Sequence, residues 1–322
     1  MNHRQKLVQK QFLKNEKDII KRLNDVYSQS LTDINEKIKK LTFTIDKLQL
    51  EYDWMEPDDP ERANVKSMIQ SKIYQRQYQE QLQKQVDGIL KQMQTKEYVT
   101  VSDYINDCYT DGFIGTIFDA HGQGVPIIAP IDQEAMVRAV QLESKISKGL
   151  YTRLGEDVDL LKQKITAQVS RSIATGMTFG QTAKALEGCT RIGYNKAVRI
   201  ARTEGHRIQT TATMDAMYVA KSKGANVVKQ WDATLDDRTR ESHQAVDGEV
   251  REIDEPFSNG LDFPGDPSGG AAEVVNCRCA LLQRARWAMG ADELQTLKER
   301  AAYFGLDKSE EFEDFKKKYL NI

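Results

Sequence analysis

Between Tyr27 and Leu48 the apolar positions are Tyr27, Leu31, Ile34, Ile38, Leu41, Ile45 and Leu48, separated by alternating steps of four and three. This is a heptad seam, and it commits the segment to a helix whose apolar face must be covered by another helix. Glu36, Lys37, Lys39, Lys40 and Lys47 occupy the other faces, and no glycine occurs before Gly88. The pattern stops at Met55-Glu-Pro-Asp-Asp-Pro60, where each proline drives its predecessor out of helical geometry and aspartate favours a turn. A second helix is expected over 61–96, with a stripe of Val65, Ile69, Ile73, Tyr78, Leu82, Val86, Ile89 and Met93. Two long helices joined by a tight turn give an antiparallel hairpin over 1–97. Such a hairpin either packs on its own chain or serves as a docking arm, and in the second case its seven seam residues are the docking surface.

The rest of the chain limits the function classes. A length of 322 residues suggests two domains. With 46 Lys+Arg against 48 Asp+Glu the formal net charge is −2, which argues against nucleic-acid binding by bulk charge. No apolar run approaches the roughly 18–20 residues needed to span a bilayer, and the charged start, MNHRQKLVQKQF, lacks the apolar core of a secretory signal. Cysteines at 108, 189, 277 and 279 have no framework spacing, which fits a reducing compartment.

Over 98–149 the glycines 112, 115, 122 and 124 and the prolines 126 and 130 suggest a connecting region of one helix and a loop or short strand pair. Asp132 is placed to cap a helix running to about Lys148. Further helices are expected over 156–175, ended by Gly176, and from a capping box at Thr178–Gln181 to about Leu186, then from Tyr194 to Lys223. Eleven Lys/Arg and three Asp/Glu lie between Lys162 and Lys223, and Arg191, Lys196, Arg199, Arg202 and Arg207 are candidate DNA contacts there. Strand patterns follow at 227–231, 248–253 and 276–282, the last with Cys277, Cys279 and Leu281 alternating on one face. Helical pieces are expected over 291–304 and 309–319. The fold class is therefore mostly α within α+β: a hairpin (1–97), a connecting region (98–149), a module over 150–285 that is helical to 224 and α+β from 225, and a helical tail (286–322).

One constellation carries chemical potential: Trp231, Asp232, Asp236, Asp237, Arg238, Arg240 and His243, then Gly248, then Asn276-Cys277-Arg278-Cys279. His243, Cys277 and Cys279 are three possible zinc ligands, with Asp236 or Asp237 as a fourth, although C-x-C is tighter than the usual spacing. A thiolate nucleophile with His243 as base is a second reading. In the third and favoured reading, Asp236 and Asp237 cap a short helix carrying Arg238, Arg240 and His243, and the cysteines are small buried residues. Arg202-Thr203-Glu204 could contribute to a nucleotide or transferase site or form a solvated helix face. No phosphate loop is present.

The run Ala201-Arg-Thr-Glu204, the segment Trp231–His243, Asp247-Gly248, the Pro264 loop and Asn276–Cys279 together resemble the phage Mu protein F-like family of minor head, or head morphogenesis, proteins. The resemblance covers about residues 150–285. Where the family often has a His-Pro before its last motif, this chain has Glu273-Val-Val-Asn276. The resemblance implies a virion component in the capsid interior or at the portal vertex, present in host cytoplasm during assembly. The implied partners are the portal protein and major capsid or scaffolding proteins, with packaged double-stranded DNA as a further one. Some relatives carry toxin or ADP-ribosyltransferase domains beyond this module; the short tail after 285 leads us to expect no enzyme and no cofactor. Two alternatives stay open: a zinc- or thiol-dependent enzyme centred on His243, Cys277 and Cys279, and a DNA-binding accessory protein using the basic helices of 162–223.

Overall fold

A computed structural model of the chain describes residues 1–74, 76–141, 150–175, 177, 179–286 and 291–322. The protein is mostly helical with one small antiparallel sheet. Helix α1 (His3–Trp54) is followed by α2 (Arg62–Tyr74) and α3 (Arg76–Gly122), with the Pro57–Pro60 segment forming the turn between α1 and α2. After a loop come α4 (Gln133–Gln141), α5 (Leu150–Ala174) and α6 (Phe179–Ser222). Then follow β1 (Asn226–Asp232), α7 (Glu241–Gln244), β2 (Val250–Glu252), α8 (Ala271–Val274), β3 (Ala280–Arg286), α9 (Ala291–Tyr303) and α10 (Phe312–Tyr319).

Two compact units emerge, neither continuous in sequence. The first comprises Met1–Ile19, Val101–Leu150 and Arg199–Ile322, and the second Ile20–Thr100 and Tyr151–Val198. Helices α1, α3 and α6 each contribute residues to both. Boundaries drawn from composition at 97 and 149 therefore do not coincide with the unit boundaries.

The second unit buries three residues of the heptad seam. Tyr27, Ile34 and Ile38 are fully enclosed with Val86, Leu90, Leu161 and Ile165, while Leu31 and Leu48 are half-buried. The side chains of Leu41 and Ile45 lie outside the described residues. Tyr27 meets the Tyr194 ring edge to face at 6.0 Å, and its hydroxyl donates to the Glu97 carboxylate at 3.0 Å. Burial first, and then its closeness to Asp157, raise the Glu97 carboxyl to about 7. The expectation that Tyr27, Ile34 and Ile38 form an open docking surface is corrected: these side chains are core.

In the first unit Gly112, Gly115 and Gly122, which suggested breaks, lie inside α3 instead, and only Gly124 falls in the loop that follows. A Cβ on Gly112 would stand 2.6 Å from the Gln209 carbonyl oxygen of α6, and one on Gly115 would stand 2.6 Å from Val8 of α1. Glycine is used here so that helices can approach closely, and the connecting region is helical to Gly122. Asp132 does cap α4: its carboxylate accepts from the Glu134 and Ala135 amides at 2.9 and 3.1 Å, and these bonds hold it below the usual carboxylate range. Gly176, Thr178 and the expected end of that helix near Lys148 lie outside the described residues. The two helices expected before and after 186–194 are one, since Gly188 sits within α6.

The sheet has the order β2-β1-β3, with both pairings antiparallel. Strand β1 is central, which explains its continuous burial from Val227 to Lys229. Lys229 lies fully buried on it, donating to the carbonyls of Ile253 and Asp262 at 3.2 and 2.9 Å with its ammonium over the Phe257 ring. The third strand begins at Ala280 rather than 276, so Cys277 and Cys279 precede it and do not alternate on its face. Asn276 causes the shift: its φ of 55° turns the chain just before the cysteines.

Candidate functional site

Around the sheet, short elements with little core of their own are held by polar contacts. Trp231, near the end of β1, is fully buried and stands edge to face against His243 on α7 (5.1 Å) and Phe257 (5.2 Å). Gly248 adopts φ 76° so that the chain can reverse, and its amide donates to the Trp231 carbonyl at 2.9 Å. Asp232 is half-buried at the strand end.

The Asp-rich loop does not cap α7. Asp236 accepts from the Arg238 amide at 3.0 Å, making a local turn, and takes both terminal nitrogens of Arg278 in a two-pronged ion pair. The Arg278 guanidinium is the first cause of Asp236 lying well below the ordinary carboxylate range. Asp237 and Arg238 are exposed, and α7 starts only at Glu241 after an uncapped Arg240. Arg240 instead donates to the Val275 carbonyl at 2.6 Å, tying this loop to the turn before the cysteines. The expected capping by Asp236 and Asp237 is thus corrected. Asp236 as a fourth metal ligand is corrected too, because its oxygens are engaged by Arg278.

His243, Cys277 and Cys279 do come together. Their ligand atoms lie within 4.8 Å of one another, and all three residues are buried. The His243 Nδ1 is 3.7 Å from Cys277 Sγ and 3.4 Å from Cys279 Sγ. On the opposite edge of the ring, Nε2 stands 2.9 Å from the Glu273 carboxylate without the alignment of a hydrogen bond. Ser242 Oγ donates to the same carboxylate at 2.9 Å. The two thiols differ: Cys277 is pushed up by its hydrogen bond to Cys279 and by burial, whereas Cys279 is pulled down by that bond first, with His243 and the Thr234 amide adding to it. The arrangement can hold one thiolate readily, and its donor set is that of a metal site.

A second layer comes from α6. Thr203 Oγ1 accepts from the Asn276 amide at 3.2 Å, and His206 Nε2 donates to the Cys279 carbonyl at 2.7 Å. Gly265, at φ 83°, packs on that imidazole, where a Cβ would come within 2.9 Å of Nδ1. Burial lowers the His206 pKa, keeping it neutral. Glu204 and Arg207 form a buried ion pair at 2.9 Å, and Arg207 also donates to the Ala139 carbonyl at 3.0 Å. Sequence reasoning missed His206, Glu273 and Lys229. His206 was findable as the residue three beyond Thr203 on one helical face; Glu273 was noted only as part of a departing stretch, and Lys229 gave no signal.

Most candidate DNA contacts are engaged elsewhere. Arg191 pairs with Glu187 at 3.3 Å, Lys196 with Asp157 at 2.5 Å and Arg202 with Glu16 at 2.9 Å, while Arg199 is exposed. Arg207 is buried, so its assignment as a DNA contact is corrected.

Fold and site together define a mostly helical α+β protein whose sequence motifs interlock as a buried framework. Residues 163–282 match the model of the family described as phage Mu protein F like protein. The chain is 28% identical over 204 residues to the minor head protein GP7 of Bacillus phage SPP1, an alignment covering 60% of this chain and 65% of that protein. It is 27% identical over 264 residues to the NAD(+)–arginine ADP-ribosyltransferase EFV of Enterococcus faecalis, covering 81% of this chain and 50% of that protein. The chain therefore spans between half and two thirds of the length of these relatives. No solved structure matches it. Among the described residues no helix is long and apolar enough to cross a membrane.

Proposed function

We propose that the chain is a minor head protein of a tailed double-stranded DNA phage, a virion component that acts in head assembly or DNA delivery at the portal vertex. The observation that carries this reading is the coincidence of the Mu F-like region with an interlocked motif framework: Thr203, His206, Arg240 and Arg278 all serve to fasten the segment around Cys277 and Cys279. Residues so deeply used in structure suit an assembly protein better than an open catalytic cleft. The transferase named among the relatives does not change this. Glu204 is buried against Arg207 and Arg202 binds Glu16, so the Arg202–Glu204 run offers no exposed acid–base pair.

The docking face we assign is the exposed apolar stripe Phe43, Leu50 and Trp54 of α1, which lies on one helical side at spacings of seven and four. Its partner is the portal or a neighbouring capsid or scaffolding protein. The test is retention of the full chain on immobilised portal rings, beside quantitative protein analysis of purified heads. Retention that is lost in Phe43→Glu and Trp54→Glu with unchanged melting temperature supports the reading. Absence of the chain from both procapsids and DNA-filled heads overturns it.

A further inference from the structure

We propose that His243 Nδ1, Cys277 Sγ and Cys279 Sγ bind a zinc ion that staples α7 to the segment entering β3. The inference does not depend on the assembly role. Geometry carries it first. Zinc bonds of about 2.3 Å to sulfur and about 2.0–2.1 Å to nitrogen, at tetrahedral angles, require N···S separations of roughly 3.6 Å. The two found here are 3.7 and 3.4 Å. Both N···S separations thus match the spacing of a shared zinc, and all three donor atoms lie within 4.8 Å of one another.

The imidazole is also presented as a ligand should be. Glu273 stands 2.9 Å from Nε2, on the ring edge away from the sulfurs, and Nδ1 faces the two sulfurs. Ser242 steadies the carboxylate, and Trp231 packs against the ring edge to face and so limits its rotation. A small rotation that aligned Nε2–H with the Glu273 carboxylate would give the carboxylate–histidine–metal relation, in which the carboxylate orients the ligand without touching the ion.

The donors select the metal. Two thiolates and an imidazole suit zinc and do not suit magnesium or calcium, which take oxygen ligands. Each thiol gives its proton to solvent as the ion binds. Three protein donors leave one position for a solvent oxygen. The burial of all three residues (1, 5 and 3% exposed) makes the ion structural rather than open to a substrate. The need for a staple is visible in the surrounding elements: β2 has three residues, α7 and α8 four each, and the loops between them are long. A cross-link joining residues 34–36 positions apart removes much of the freedom of such a module when unfolded.

The full-length protein, produced in zinc-supplemented medium and freed of loosely held ions, should retain stoichiometric zinc. Removal by chelator should lower its melting temperature, and cobalt in place of zinc should give the visible absorption of a tetrahedral thiolate site. Glu273→Gln, which leaves every ligand in place, should weaken zinc binding by about 10–100-fold. Because Cys277→Ser and Cys279→Ser could unfold the module outright, the Glu273→Gln titration and the cobalt spectrum keep the test decisive. Metal-free protein whose melting temperature does not respond to added zinc would overturn the proposal and leave a hydrogen-bonded thiol–imidazole cluster. Zinc retained in full by a folded Cys277→Ser, Cys279→Ser double variant would overturn it equally.

Discussion

The backbone amide of Asn276 donates to the side-chain oxygen of Thr203, 73 positions away, at 3.2 Å. The residue that makes this bond is the one non-glycine among the described residues with positive φ, 55°. Helix α6 thus holds a strained turn in place, and the turn sets where both cysteines lie. Thr203→Val keeps the shape and removes the buried acceptor of the Asn276 amide. It should cost about 1–2 kcal/mol in urea unfolding. Asn276→Gly should be nearly neutral and Asn276→Val clearly destabilising, because a β-branched residue does not tolerate that φ. Equal stability of the Gly and Val variants would show that the turn relaxes.

Gly112→Ala tests the close approach of α3 to α6. Helix propensity alone favours alanine by about 1 kcal/mol. The Cβ would stand 2.6 Å from the Gln209 carbonyl oxygen, and backbone cannot swing aside as a flexible side chain can. We expect net destabilisation of about 1–3 kcal/mol, read from thermal or denaturant unfolding. A stabilised variant would refute the contact.

Glu97 gives a pH signature. Folded, it holds its proton to about pH 7; unfolded, only to the ordinary 4.5. Between these values the folded state binds the extra proton, so this group's contribution to stability falls as pH rises from about 4.5 to about 7. The span corresponds to about 3 kcal/mol. His121, whose pKa burial lowers to about 4, acts oppositely, its contribution falling as pH drops below about 6.5. The two overlap, so the wild-type profile alone is uninformative. The difference between wild type and Glu97→Gln isolates the carboxyl: the variant should gain stability relative to wild type as pH goes from 5 to 8. A pH-independent difference would place Glu97 in contact with water.

Arg207→Met should cost about 3–5 kcal/mol, since it strips the guanidinium from a buried carboxylate. Replacing Glu204 and Arg207 together by methionine should recover most of the loss. If Arg207 instead contacted DNA, the single variant would be stable and its effect would appear as a weaker salt dependence of DNA retention.

Much of the helical frame was legible because periodicity reports a local commitment. The steps of four and three from Tyr27, the prolines at 57 and 60 and the Asp132 cap each act within one or two turns of chain, and each appears where expected. The glycines of α3 were misread for the same reason. Glycine signals a break locally, and nothing local reveals that Gln209 or Val8 will press against it. The third strand was placed four residues early because alternation at Cys277, Cys279 and Leu281 looks the same in a strand and in an extended approach to one.

The sequence by itself determined the mostly helical α+β class and the set of residues that could gather chemically, since these follow from side-chain type and short-range spacing. Tertiary structure alone decided that Tyr27, Ile34 and Ile38 are core, that Asp236 answers to Arg278, and that His243 faces two sulfurs with Glu273 behind it. Those outcomes depend on contacts between segments tens of residues apart. Only the folding of α6 against the sheet fixes which polar group finds which partner, and burial then makes each pairing obligatory.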